Sequence, residues 1–126
     1  MKKVKILVVE DEIPLLTAIT TKMSKSGIDV RGARSVDDAK KAIKEFIPDL
    51  IWLDHYLFGQ EDGIDFMKFV QKDEKLKDIP VFVVSNTCSN NNYNEYMELG
   101  ISKYYVKSSV KLEEIINEAQ KVVAAK

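Results

Sequence analysis

The chain has 126 residues, 45% of them hydrophobic, enough for one domain with a core of its own. Nineteen Lys and Arg against twenty Asp and Glu leave a formal net charge of −1, and no basic stripe with interleaved aromatics appears, which argues against direct nucleic-acid binding. The single cysteine, Cys88, excludes an internal disulfide, and no apolar run suits a signal peptide or a membrane span, so a cytoplasmic domain is expected.

Strand and helix patterns alternate along the whole chain. Val4–Val9 reads as a strand and Ile13–Ser26 as a helix, with Leu16, Ile19 and Met23 on one face. Pro14 falls in the first turn, where a missing N–H costs least, and Gly27 ends the helix as a C-cap. Ile28–Gly32 is a second strand. Ser35 or Asp37 then caps a helix reaching Phe46, whose Ala39, Ala42, Ile43 and Phe46 follow helical spacing. Leu50–Leu53 is a third strand, followed by a loop and a helix over about Ile64–Asp73. Pro80 opens the strand Val81–Val84, and the polar stretch Asn86–Asn92 leads into a helix that stops at Gly100. A strand around Lys103–Val106 and a helix from Lys111 to about Val123 complete the pattern.

Five β-α units in succession predict a doubly wound α/β fold: a parallel five-stranded sheet with helices on both faces. The first, third and fourth strands are continuously apolar, as strands covered on both faces should be. The second and fifth carry Asp29, Arg31, Ser102 and Lys103 and belong at the edges. That gives the flavodoxin-like order 2-1-3-4-5, with the crevice for ligands at the carboxyl ends of the strands.

Polar groups stand where the strands run out: Glu10 and Asp11, Asp54, Ser85 and Lys107. Crowded carboxylates repel one another unless a cation compensates, and Mg²⁺ takes hard oxygen ligands of this kind. A carboxylate facing a metal and a lysine is suited to attack phosphorus, with the cations neutralising charge on the transferred oxygens.

These residues resemble the response-regulator receiver domains of two-component signalling. The resemblance runs from Ile6-Leu7-Val8-Val9-Glu10-Asp11-Glu12 through Pro48-Asp49-Leu50-Ile51-Trp52-Leu53-Asp54 and Ile79-Pro80-Val81 to Ser85, and on to Gly100, Tyr104 and Lys107. It implies that Asp54 is the phosphoacceptor, taking its phosphoryl group from a phosphohistidine on a sensor histidine kinase or phosphotransfer protein. It further implies that Asp11 binds Mg²⁺ directly and Glu10 through water, beside Asp54 and the backbone carbonyl of Tyr56. Ser85 and Lys107 would bind the phosphoryl oxygens. Movement of Ser85 would couple to rotation of Tyr104 and remodel the face of the fourth helix, fifth strand and fifth helix for a downstream protein partner.

The chain departs from the family at named positions. Ser108 stands after Lys107 where proline is usual, so that bond is either trans or strained, a cis bond without proline costing about 3 kcal/mol. The loop from His55 to Gly63 lacks the usual proline at Phe58 and is one residue longer than typical. Tyr56 and Asn86 put bulk on the path of water, which predicts slow self-hydrolysis of the phosphorylated form. Glu12 reads as a helix start, His55 as a poor metal site without companions, Trp52 as core and Cys88 as lacking an acid-base partner.

The reading is a stand-alone receiver over residues 1–126 without an output domain, a Mg²⁺-dependent switch rather than a metabolic enzyme. The alternative is a receiver-like interaction module that is not phosphorylated. A flavin or nucleotide enzyme on this fold would need phosphate-cradling donors at the first turn, where Glu10-Asp11-Glu12 repels phosphate.

Overall fold

The computed structural model describes residues 3–86 and 89–125. In chain order the elements are β1 (Lys5–Val9), α1 (Ile13–Lys25), β2 (Asp29–Ala33), α2 (Val36–Glu45), β3 (Leu50–Leu53), α3 (Gly63–Lys72), β4 (Val81–Ser85), α4 (Asn90–Glu98), β5 (Lys103–Val106) and α5 (Leu112–Ala124), with a 3-10 turn over Lys107–Ser109 before α5. All strand pairs are parallel and the sheet order is β2-β1-β3-β4-β5, as the strand compositions predict.

Side-chain alternation along the three inner strands splits the core into two layers. Leu7, Val9, Ile51, Leu53, Val81 and Val83 pack with α2, α3 and Tyr96 of α4. Ile6, Val8, Leu50, Trp52, Phe82 and Val84 pack with α1 and α5 on the other face. Tyr104 joins the first layer and Tyr105 the second, as neighbours on one strand must.

Local chemistry sets the helix ends. Ser35, not Asp37, caps α2 by accepting the Asp38 N–H at 3.1 Å. A reciprocal capping box between Asp62 and Asp65 starts α3 at Gly63, slightly ahead of the expected Ile64. Ser89 caps α4 through the Asn92 N–H. Gly27 and Gly100 follow α1 and α4 with φ of +82° and +85°, a conformation glycine adopts without the cost of a side chain.

The region after β5 differs from a plain strand–helix turn. The Lys107–Ser108 bond is trans and Lys107–Ser109 wind into the 3-10 turn, so Lys111 precedes α5 instead of joining it. The reading of Cys88 lies outside the described residues. Among the described residues, no helix is long and apolar enough to cross a membrane.

Candidate functional site

Strand register brings the polar termini together. Val9 pairs with Leu53, Leu53 with Val83, and Ser85 with Val106, so the carboxyl ends of four strands meet along one rim. The ladder runs one step past the strands: the Glu10 N–H donates to Ala33 O and the Asp54 N–H to Val9 O, each at 2.9 Å. Glu10 and Asp54 are thereby fixed by backbone bonds before their side chains do anything.

Each of Glu10, Asp11 and Asp54 offers an oxygen within 4.8 Å of the others. Glu10 is fully buried, Asp54 is 2% exposed and Asp11 lies at the rim. Lys107 reaches in from the 3-10 turn, its Nζ 3.1 Å from Asp54 Oδ2 as a hydrogen bond and 2.8 Å from Glu10 Oε1. The contact with Glu10 is an ion pair off the hydrogen-bond axis, so Oε1 has charge compensation without an aligned donor. Glu10 Oε2 accepts the Glu12 N–H at 3.1 Å.

One ammonium contacts two carboxylates in a cluster of three. Burial drives the Glu10 carboxyl up to about 7; the Lys107 contact opposes this and the Asp54 charge adds to it. Burial pulls the Lys107 ammonium down, but the carboxylates of Glu10 and Asp54 outweigh it and the net shift is upward. Asp54 Oδ1 and the Ser85 hydroxyl are buried without a hydrogen-bond partner among the described residues. Leaving such atoms unpaired costs roughly 1–3 kcal/mol each. Excess negative charge, a bare carboxylate oxygen and a bare hydroxyl at one strand rim suit a hard cation and an incoming group rich in acceptor oxygens.

The structure also shows where the remaining expected residues lie. The Tyr56 ring is half exposed beyond Asp54, edge-on to His55 at 4.7 Å between centroids. Tyr104 is on the α4 side, donating its hydroxyl to Asn86 O at 3.1 Å and packing against Tyr93 at 5.4 Å. It is therefore bonded to the residue that follows Ser85. His55 turns away from the acidic cluster and is buried among α3 and α4 residues, bonded to Tyr96 and Asn92.

Arg34 is a site residue that sequence reasoning passed over. Its Nε donates to the Asp11 carbonyl at 3.0 Å, and its guanidinium lies over the Phe58 ring at 5.9 Å. The Phe58 N–H returns a bond to Arg34 O at 3.3 Å, beside a lone parallel bridge between Ser35 and Phe58. Arg34 thus ties the acidic pair to the loop after Asp54. It follows β2 directly, so the strand-end rule that found the other residues also points to it.

Residues 6–120 match the response regulator receiver domain family. The phosphate regulon transcriptional regulatory protein PhoB of Escherichia coli (strain K12) is 32% identical over 103 residues, which are 82% of this chain and 44% of that protein. This chain thus spans less than half the length of that curated relative. Among solved structures, the receiver domain of Francisella response regulator 1452 superposes with a TM-score of 0.85 at 26% identity, covering 98% of both chains. A CheY-like receiver domain protein from Methanospirillum hungatei JF-1 reaches 0.89 at 17% identity, over 98% of this chain and 96% of that one, a likeness of fold alone.

Proposed function

The chain belongs to the response regulator receiver domains of two-component systems, and from that premise we propose that it is a phosphoacceptor switch working through Asp54. A carboxylate oxygen of Asp54 attacks the phosphorus of a phosphohistidine on a sensor kinase or phosphotransfer protein. The O–P bond forms as the P–N bond breaks, and the imidazole leaves with a proton from solvent. The observation that supports this best is the pairing of a bare buried Asp54 Oδ1 with a Lys107 ammonium 3.1 Å from Oδ2.

Each residue has a task that follows from its position. Lys107 holds Asp54 before transfer and neutralises phosphoryl oxygens after it. The Ser85 hydroxyl, without a hydrogen-bond partner among the described residues, donates to a phosphoryl oxygen and is drawn toward it. Asp11, Glu10 through water, Asp54 and the Tyr56 carbonyl are the residues to hold Mg²⁺, which would supply further charge neutralisation for the transfer. The crowding of three carboxylates within 4.8 Å and the raised Glu10 pKa fit that cation.

Switching then follows a bonded path. Drawing Ser85 inward displaces Asn86, whose carbonyl holds the Tyr104 hydroxyl, and frees the Tyr104 ring to move. The ligand selects between two arrangements of one protein. The downstream surface is the α4–β5–α5 face, where Tyr93 and Met97 are 42% and 49% exposed, and its partner is a protein. The chain acts only on its own phosphoryl group, gaining it from donors and losing it slowly to water, so it is a signalling switch and no metabolic enzyme.

Intact-mass analysis after incubation with acetyl phosphate tests this reading. One phosphoryl adduct that needs Mg²⁺ and disappears in Asp54→Ala is the expected result. No adduct from acetyl phosphate or from a phosphohistidine donor would replace it with an interaction module that works without phosphorylation.

A further inference from the structure

His55 directly follows Asp54, is 3% exposed and is unused by the transfer chemistry. Its Nδ1 lies 2.7 Å from the Tyr96 hydroxyl and its Nε2 lies 3.1 Å from Asn92 Nδ2. With the Asn92 amide N–H donating, Nε2 accepts, the ring proton sits on Nδ1, and the Tyr96 oxygen accepts it. Asn92 and Tyr96 are four residues apart and share one face of α4. One imidazole therefore grips the helix at two successive turns.

That grip matters because the other contacts of α4 are few and mostly peripheral: the Tyr93 ring against Tyr104, and Glu95 paired with Lys68 at 3.1 Å. Its sequence is NNNYNEYME, and Tyr96 is its only buried residue among those described. A helix without an apolar stripe takes its position from whatever specific contacts it makes. The Tyr96 phenol also reaches the backbone of the phosphoacceptor loop: a Cβ on Gly63 would strike the Tyr96 hydroxyl and the Asp54 carbonyl oxygen. The His55 carbonyl accepts the Gly63 N–H at 2.9 Å, closing the same loop onto α3. On its other side the Tyr96 ring contacts Tyr104, with centroids 6.3 Å apart.

We propose that His55 is a positioning residue, a two-point clamp on Asn92 and Tyr96 that holds α4 in its unphosphorylated arrangement and releases it when Asp54 is modified. It is a second route from the site to α4, which meets the Ser85–Asn86–Tyr104 path at the Tyr96–Tyr104 ring contact, and it rests on Asp54 being the phosphoacceptor. Any shift of the backbone at Asp54 moves the next residue, and the clamp geometry transmits that movement directly to the helix. By linkage, a helix already released should favour the phosphoryl-bound state.

The test compares wild type, Tyr96→Phe and Asn92→Ala, using beryllofluoride with Mg²⁺ as the phosphoryl analogue. Amide exchange of α4 and α2 and the analogue's affinity are measured on each. The expected result is faster α4 exchange in both free variants, approaching that of the analogue-bound wild type. The α2 rates should stay unchanged, and analogue binding should tighten on the order of fivefold. Unchanged α4 exchange, or faster exchange with unchanged analogue affinity, would overturn the clamp while leaving the phosphoacceptor reading intact. A wild type that neither binds the analogue nor gains a phosphoryl adduct would overturn both.

Discussion

Lys107 Nζ lies 3.1 Å from Asp54 Oδ2, although the two residues are 53 apart in the chain and Ser108 stands where a proline would ordinarily hold the lysine's turn. The 3-10 turn over Lys107–Ser109 aims the ammonium with a trans bond. Replacing Lys107 by Gln removes the one cation that, among the described residues, lies against Glu10 and Asp54. Loss of a positioned charge donor predicts a fall of about 100-fold in the rate of adduct formation from acetyl phosphate. Two buried carboxylates left without their cation also predict a loss of roughly 3 kcal/mol of stability in the absence of Mg²⁺. Initial rates by intact mass and denaturant midpoints with and without Mg²⁺ check both; equal rates in wild type and Lys107→Gln would remove Lys107 from the chemistry.

Glu10 makes stability depend on pH in an unusual direction for a carboxylate. Its carboxyl titrates at about 7 in the fold against an ordinary 4.5, with burial as the main cause. Below the lower value both states hold the proton and no penalty exists. Between the two, the unfolded chain ionises while the folded one does not, so stability falls as pH rises and the loss is complete above about 7. Thermal melts of metal-free protein should therefore show a decline across this window, on the order of 3 kcal/mol at most. Glu10→Gln should flatten that decline, and added Mg²⁺ should reverse it by compensating the ionised carboxylate.

Strand order and the rim residues were legible because both rest on local signals. A buried inner strand is continuously apolar, an edge strand carries charge, and a polar residue directly after either one must sit on the rim. The α4 clamp left no such signal. His55 meets Tyr96 and Asn92 across 41 and 37 residues of sequence, and an isolated histidine after an apolar strand reads only as a poor metal site until its partners fold against it. Gly63 likewise read only as the last residue of the loop after Asp54, since the crowding that excludes a Cβ comes from α4 and from the Asp54 backbone. The 3-10 turn was half visible: the missing proline marked the place, and only the tertiary pull of Glu10 and Asp54 on Lys107 supplied the shape.

Ser85 separates stability from switching. Its hydroxyl is buried and bonded to nothing among the described residues, so Ser85→Ala removes an unpaired polar atom. Stability should rise, by about 1 kcal/mol. The same variant should lose the movement of Tyr104 on phosphorylation, read from the ring's NMR signals with beryllofluoride and Mg²⁺. An undiminished Tyr104 response would detach Ser85 from the switch.

Tyr56 and Asn86 bear on the lifetime of the phosphorylated state. Tyr56 lies two residues beyond Asp54 in the loop after β3 and Asn86 directly after β4, and both are exposed. Trimming either to Ala should shorten the phosphoryl half-life by about tenfold, a change of ~1.4 kcal/mol in the hydrolysis barrier. Decay of the adduct by intact mass measures this directly. Half-lives equal to wild type in both variants would return the control of hydrolysis to other residues.

Gly63 offers the sharpest check on how closely α4 is fitted to the phosphoacceptor loop. At the first turn of a helix, Ala is ordinarily the better residue by about 1 kcal/mol. Here a Cβ would collide with the Tyr96 hydroxyl and with the Asp54 carbonyl oxygen, and the second of these is backbone that cannot swing aside. Gly63→Ala should therefore destabilise the protein by roughly 2 kcal/mol despite its favourable propensity. Deleting the hydroxyl with Tyr96→Phe relieves one of the two collisions, so the double variant should recover part of the loss rather than add to it. A coupling of about 1 kcal/mol between the two substitutions in a double-mutant cycle is expected. Strict additivity would mean that α4 can shift away from Gly63 at no cost, and that its seat against His55 is looser than the 2.7 Å contact with Tyr96 implies.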